Sequence, residues 1–161
     1  MSPKNLPYEP DELLSFIIRS KAKTYIGNGE KVPSHRPNSF DLAYKEGVFG
    51  YLDSYYGGSD FIGEEIVYFM GKAIWGMNYY GKLLRDDMIS AAGVGEVLKK
   101  SLSTLYSEGR FLGPFEFTTE DGFTYVDTNE GDFRYFTGKE WILKDGEKIY
   151  ELTYHGGLIE D

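Results

Sequence analysis

The chain has 161 residues, 41% of them hydrophobic, with a formal charge of -9 and a pI near 4.8. That length closes one sizeable core, and the acidity argues against direct nucleic-acid binding, which draws on clustered Lys and Arg. The lack of cysteine excludes disulfides, thiolate catalysis and zinc ribbons; without a signal peptide or a long apolar run, the expectation is a soluble cytoplasmic protein with no membrane role.

In chain order, the first predicted element is a helix from Pro10 to Lys23. Leu13, Leu14, Ile17 and Ile18 form its apolar stripe. Asp11 and Glu12 sit in the first turn and Arg19, Lys21 and Lys23 near the end, which suits the helix dipole, and Gly27 serves as a stop. Residues Gly27 to Ser39 read as a polar loop with two prolines, the kind that is functional or unstructured in a compact domain. Within it, His35 is a candidate acid/base, and Arg36 could bind a carboxylate or phosphate in bidentate fashion. Period-two runs of β-branched and aromatic residues then predict four strands, with turns at Glu46-Gly47 and Met70-Gly71. A second helix is predicted from about Val94 to Ser107, where Val94, Val97, Leu98, Leu102 and Leu105 recur at helical spacing. Four more strands follow, with turns at Asp121-Gly122 and Asp145-Gly146. The basic clusters Arg19 to Lys23 and Lys99-Lys100 read as solvated helix faces.

The second set of strands restates the first. Phe61, Gly63, Glu65, Gly71, Ile74, Tyr79, Gly81 and Leu83 recur without a gap as Phe136, Gly138, Glu140, Gly146, Ile149, Tyr154, Gly156 and Leu158. Upstream, Phe49, Tyr51 and Asp53 match Phe123, Tyr125 and Asp127. Internal repetition constrains architecture more strongly than any other sequence signal. The expectation is an α+β fold: a single domain over residues 1–161 made of two pseudo-equivalent halves, about 10–84 and 90–160. Each half is one helix plus four antiparallel strands, and together they form a large curved antiparallel sheet with two main helices. Whether the strands make one sheet or two facing sheets is open at this stage.

Alternation along strands groups the candidate site residues. Tyr51 and Asp53 share a face in one strand, as do Trp75 and Tyr79 in another. Tyr125 and Asp127, with Tyr154, repeat the arrangement. Each half then owns an aromatic wall holding one carboxylate, able to stack a flat ring or bind a cation; the ligand expected is a small aromatic or cationic molecule. The plainer alternative is a core in which each aspartate satisfies tyrosine hydroxyls. The recurrence of Glu65 as Glu140 favours a structural role, such as holding a turn amide or an Arg. On the other face, Asn78 and Tyr80 give way to Thr153 and His155, and His155 could act as a general base near pH 7. No metal-ligand constellation, phosphate-cradling glycine loop or nucleophile elbow is recognisable, so neither a metal nor another cofactor is expected.

The run Arg36-Pro-Asn-Ser39-Phe-Asp41-Leu, followed by Glu46-Gly, Tyr51-Leu-Asp53-Ser54-Tyr, Phe61-Ile-Gly-Glu-Glu65, Trp75-Gly-Met-Asn-Tyr79 and Tyr150-Glu-Leu-Thr-Tyr-His-Gly-Gly157, resembles a bacterial domain family of uncharacterised function. Its members occur alone and also C-terminal to a Cro/repressor-type helix-turn-helix in regulator-like proteins. The resemblance spans about Leu13 to Ile159 and implies no activity, substrate or catalytic residue. Only a few residues precede the first helix here, so direct DNA reading is not expected. The leading functional expectation is a non-catalytic small-molecule- or partner-binding module related to the sensor halves of such regulators. The alternative is a small hydrolase- or transferase-type enzyme using His155 or His35 with a carboxylate. A third is a scaffold that forms a homodimer through a sheet edge or an aromatic patch.

Overall fold

The computed structural model describes residues 6–26 and 29–161. Helix α1 spans Pro10–Lys21, with proline in its first turn where a missing N–H costs nothing. It runs into a π-helical turn, Ala22–Ile26. The predicted stop at Gly27 lies outside the described residues. Among the described residues nine strands follow the π-helical turn: β1 Glu30–Val32, β2 Phe40–Glu46, β3 Phe49–Gly57, β4 Asp60–Phe69, β5 Lys72–Leu83, then, after helix α2 (Ala91–Ser107), β6 Phe115–Thr118, β7 Thr124–Asp132, β8 Tyr135–Lys144 and β9 Glu147–Leu158. The segment read as an irregular loop thus contributes an edge strand, β1, which pairs Lys31 with Leu42.

All nine strands belong to one antiparallel sheet in the order β1-β2-β3-β4-β5-β9-β8-β7-β6, and the sheet is not closed. The first half therefore carries five strands and the second four. The turns follow the expected chemistry: Met70 and Gly71 have φ of 50° and 82°, and Asp145 and Gly146 have 50° and 77°. Positive φ at both central residues is the two-residue hairpin geometry whose twist matches that of the flanking strands. The halves join where β5 pairs with β9. Tyr79 lies opposite Tyr154 there, Trp75 opposite Leu158 and Leu83 opposite Tyr150. Register corresponds elsewhere too, with Asp53 opposite Glu65 in one half and Asp127 opposite Glu140 in the other.

Both helices cover the same face of the sheet. Helix α1 buries Leu13, Phe16 and Ile17, with Leu14 and Ile18 only partly covered. Phe16 stacks on Phe49 and Tyr44 at 5.0 and 5.8 Å between centroids. Helix α2 is capped by Ser90, whose hydroxyl accepts from the Gly93 amide at 3.0 Å. It buries Val94, Val97, Leu98, Leu102 and Leu105 against the sheet. Among the described residues no helix is long and apolar enough to cross a membrane.

Candidate functional site

The helix-covered face of the sheet is not uniformly apolar. At its centre it buries four carboxylates, Asp53, Glu65, Asp127 and Glu140, none more than 7% exposed. Strand alternation puts them there, because each shares a face with the core residues two positions away. Desolvation is costly for such groups unless each is hydrogen-bonded, and tyrosines supply most of the donors. Tyr79 donates to Asp53 Oδ1 at 2.6 Å and Tyr154 to Asp127 Oδ1 at 2.7 Å. Tyr51 donates to Glu65. Glu140 accepts from Tyr125 at 2.5 Å and from Tyr150 at 3.0 Å.

Two glycines make the aspartate contacts geometrically available. Gly63 lies opposite Tyr79, and Gly138 opposite Tyr154. A Cβ at either would collide with the ring of the facing tyrosine, which lies across the glycine to reach its aspartate.

The halves differ in how the glutamate is satisfied. The residue paired with Leu158 in β5 is Trp75; at the matching place in β9, opposite Leu83, stands Tyr150. Tyr150 donates to Glu140, whereas the Trp75 indole N–H is committed to the Phe133 carbonyl at 2.8 Å. Glu65 instead receives Lys21 from the end of α1, at 3.0 and 2.9 Å to its two oxygens, with both side chains nearly inaccessible. The Lys21 ammonium also lies 5.1 Å from the Phe111 ring centroid and 5.7 Å from that of Trp75. Lys21 is therefore a core residue, not part of a solvated basic face, and Glu65 holds a lysine rather than a turn amide or an arginine.

One ammonium among four carboxylates leaves the centre short of positive charge. Burial, reinforced by the charge of Glu65, pushes Asp53 up to about 7 against the opposing Tyr79 hydrogen bond and Lys21. Burial, with Asp127 beside it, does the same for Glu140, also to about 7, and burial raises Asp127.

Two cavities adjoin this network. A small one of about 60 Å³ lies among Lys21, Glu65, Asp127 and Glu140 beneath Leu102 and Tyr106 of α2; it has room for a water molecule or two. A larger one of about 420 Å³ lies between the N-terminal half of α2 and strands β1 to β5. Its walls are Leu42, Tyr55, Phe61, Val94 and Leu98, and Asp53 and Tyr79 line it. A broad trough of about 930 Å³ marks the helix-free face across the β5–β9 seam, lined by Asn78, Tyr80, Thr153 and His155 among others.

Placed on this frame, the residues singled out from sequence fall into four places. Asp53 and Tyr79 meet at the larger cavity, with Tyr51 bonded to Glu65 beside them. Tyr125, Asp127 and Tyr154 meet in the second half, where Asn129 donates to the Tyr154 hydroxyl at 2.9 Å. Trp75 lies wholly inside the core, stacked on Phe136 at 5.9 Å. His155 and Arg36 lie on the helix-free side. The ring neighbour of His155 is the Asn78 amide at 3.4 Å, and Arg36 reaches Glu64 at 3.5 Å.

His35 does approach a carboxylate. Its amide and its Nδ1 lie 2.9 and 2.6 Å from Asp41 Oδ2, and Ser54 donates to Asp41 Oδ1 at 2.7 Å. Burial works against ionisation of Asp41, yet the hydrogen bonds from Ser54 and the His35 amide outweigh it and hold the carboxyl at about 2. That cluster ties the segment before β2 to the sheet. Among the described residues no group of three or more His, Asp or Glu is placed to hold a metal ion.

Sequence reasoning missed Lys21, the hydrogen bond from Asn129 to Tyr154, and the places of Tyr25 and Tyr106 on the cavity walls. The signal available for Lys21 was its place two turns beyond Leu14 and one beyond Ile17, on the apolar side of α1. No curated protein and no solved structure matches the chain. Residues 53–159, which run from the carboxylate in β3 through the end of β9, match a family described as a domain of unknown function, and the chain belongs to that family, DUF5680.

Proposed function

We propose that this chain is a non-catalytic binding module for a small organic molecule seated in the 420 Å³ cavity between α2 and the first half of the sheet. The observation that carries this reading is the combination at one place of apolar and aromatic walls, Leu42, Phe61, Val94 and Leu98, with a buried carboxylate, Asp53, whose ionisation is poised near neutrality. A largely apolar enclosure with a few convergent polar groups is the common plan of ligand sites. Catalysis is less well supported. The one histidine held by a carboxylate, His35, lies with Asp41 and Ser54 away from the residues lining the cavity. His155 faces the open trough beside an amide.

The matching registers of the two halves, and the recurrence of Asp, Glu and Tyr at their centres, support descent by duplication of a helix-plus-strands unit. On that reading the second half keeps a closed network, while the first has opened into a binding site. A relationship to sensor domains of helix-turn-helix regulators follows from the resemblance in sequence, and ligand binding is the activity such a domain would need.

A thermal-shift screen against cellular amines, nucleobases and aromatic acids tests the proposal. A ligand at about a hundred times its dissociation constant adds roughly 2.7 kcal/mol of stability, which moves the midpoint by several degrees in a chain of this size. Gly95 of α2 lines the cavity and has open space beside it, so Gly95→Phe fills the cavity while improving helix propensity. The expected result is a hit whose shift disappears in Gly95→Phe. Hits indifferent to that substitution would move the site elsewhere.

A further inference from the structure

Resting on the binding reading above, the charge layout of the same cavity specifies its ligand further. The strand register places Lys31 opposite Leu42, and Leu42 opposite Asp53. Residues opposite one another in adjacent strands point to the same face, so Lys31, Leu42 and Asp53 form a row across three strands on the helix-covered side. All three line the cavity. Two strand spacings separate the ends of that row, roughly 10 Å.

The ends differ in both sign and exposure. Asp53 is 3% exposed, and its one hydrogen-bond donor among the described residues is Tyr79. Lys31 is exposed, as is Lys99, which extends to the same cavity from α2. Neither lysine takes part in an ion pair among the described residues. The buried end is therefore a carboxyl group that an incoming cation can ionise, the rim is cationic, and Leu42, Phe61, Val94 and Leu98 form an apolar passage between them.

We propose that the cavity selects an elongated zwitterion: a molecule with an ammonium group that enters first to meet Asp53, a flat or apolar middle, and a carboxylate or phosphate that stays at the rim against Lys31 and Lys99. A neutral molecule would leave Asp53 with the Tyr79 hydroxyl as its partner and no counter-charge from the ligand. An anion alone would have nothing to offer the inner end, whereas an amine alone would use only half of the site. Asp53 faces Glu65 on β4, Tyr79 on β5 and Lys21 at the end of α1, and burial together with Glu65 favours its protonated form; the ammonium draws that proton off, so affinity should rise with pH through neutrality.

Isothermal titration with a matched set of probes tests this: 4-(2-aminoethyl)benzoate as the zwitterion, 2-phenylethylamine as the cation, 3-phenylpropionate as the anion and 3-phenylpropanamide as the neutral form. The expected order places the zwitterion at least tenfold tighter than the amine, with the anion and amide weaker still. Lys31→Ala combined with Lys99→Ala should reduce the zwitterion to the level of the amine. Asp53→Asn should abolish the preference for an ammonium and the rise in affinity between pH 6 and 8. Circular dichroism confirms that each variant remains folded.

If the amide or the anion binds as well as the zwitterion, and Gly95→Phe removes that binding, the cavity is a ligand site and the charge assignment is overturned. If none of the probes binds at millimolar concentration while the metabolite screen yields a hit sensitive to Gly95→Phe, the zwitterion class is again overturned and the cavity stands. If no molecule in either set responds to Gly95→Phe, both readings fall.

Discussion

Asp53 shows how one side chain can belong to the core and to a binding site at once. It is buried and accepts the Tyr79 hydroxyl, yet it also lines the 420 Å³ cavity on the helix-covered face. Replacing it with alanine leaves the Tyr79 hydroxyl without its acceptor, at a cost of roughly 1–3 kcal/mol. Asparagine keeps an acceptor and removes a charge that is costly to bury. Asp53→Ala should therefore lower the urea midpoint clearly at pH 7, while Asp53→Asn stays near the parent and rises above it at pH 8; equal losses in both variants would contradict this account. The pairing of Asp53 with a tyrosine was legible in the sequence, because strand alternation and recurrence bring Tyr79 and Asp53 to one face of the sheet, as they do Tyr154 and Asp127. What alternation could not supply was depth. It groups Trp75 with Tyr79, but Phe111 and Phe136 pack on the Trp75 ring and the Phe133 carbonyl takes its N–H, so Trp75 is sealed in the core while Tyr79 borders a void.

At the scale of elements, α1 is fixed to the sheet by more than its apolar face. Lys21 closes its last turn against Glu65 of β4, a buried pair whose two partners come from segments 44 residues apart. Breaking such a pair leaves one uncompensated buried charge, which typically costs about 3–5 kcal/mol, whereas replacing both partners with apolar groups of similar volume is often close to neutral. Lys21→Met should thus destabilise severely in denaturant titration, and Lys21→Met with Glu65→Leu should recover most of the loss. A double variant no better than the single would show that Glu65 is needed for another reason, namely the Tyr51 hydroxyl. The hairpins were legible because Met70-Gly71 and Asp145-Gly146 each admit positive φ. The Lys21 contact was not. A lysine in the last turn of a helix already has a sufficient explanation in the helix dipole, and its partner on β4 is specified only once the sheet has formed. Strand β1 was hidden for a related reason: three residues among prolines carry no periodicity, and the edge of β2 supplies the order.

For the whole molecule, the buried carboxylates set the direction of pH dependence. Asp53 and Glu140 reach about 7 in the fold, against ordinary values of about 3.9 and 4.3 in an unfolded chain. Between those limits the native state holds protons that the unfolded state has lost, so stability falls as pH rises. The slope approaches about 1.4 kcal/mol per pH unit for each group at most. The contribution is complete below about pH 4 and gone once pH has passed 7. Asp41, held low by its hydrogen bonds, works in the opposite sense, but only below about pH 4. The thermal midpoint should accordingly be higher at pH 5.5 than at pH 8, and Asp53→Asn with Glu140→Gln should flatten the difference. A parent protein with no such difference would show that these carboxyls ionise freely in the fold.

The meeting of β5 with β9 carries a further consequence for the order of events during synthesis. A twelve-residue strand, β5, is complete early in the chain, but its partner on one side is the last strand to emerge. Until then its hydrogen-bonding edge has no native neighbour in the nascent polypeptide, and Trp75 lacks the Phe111 and Phe136 rings that pack on it. An unpaired edge of that length invites pairing with another chain. The first half thus depends on the second for concealment as well as for stability, and the ribosome must finish nearly the whole domain before the centre of its sheet can close.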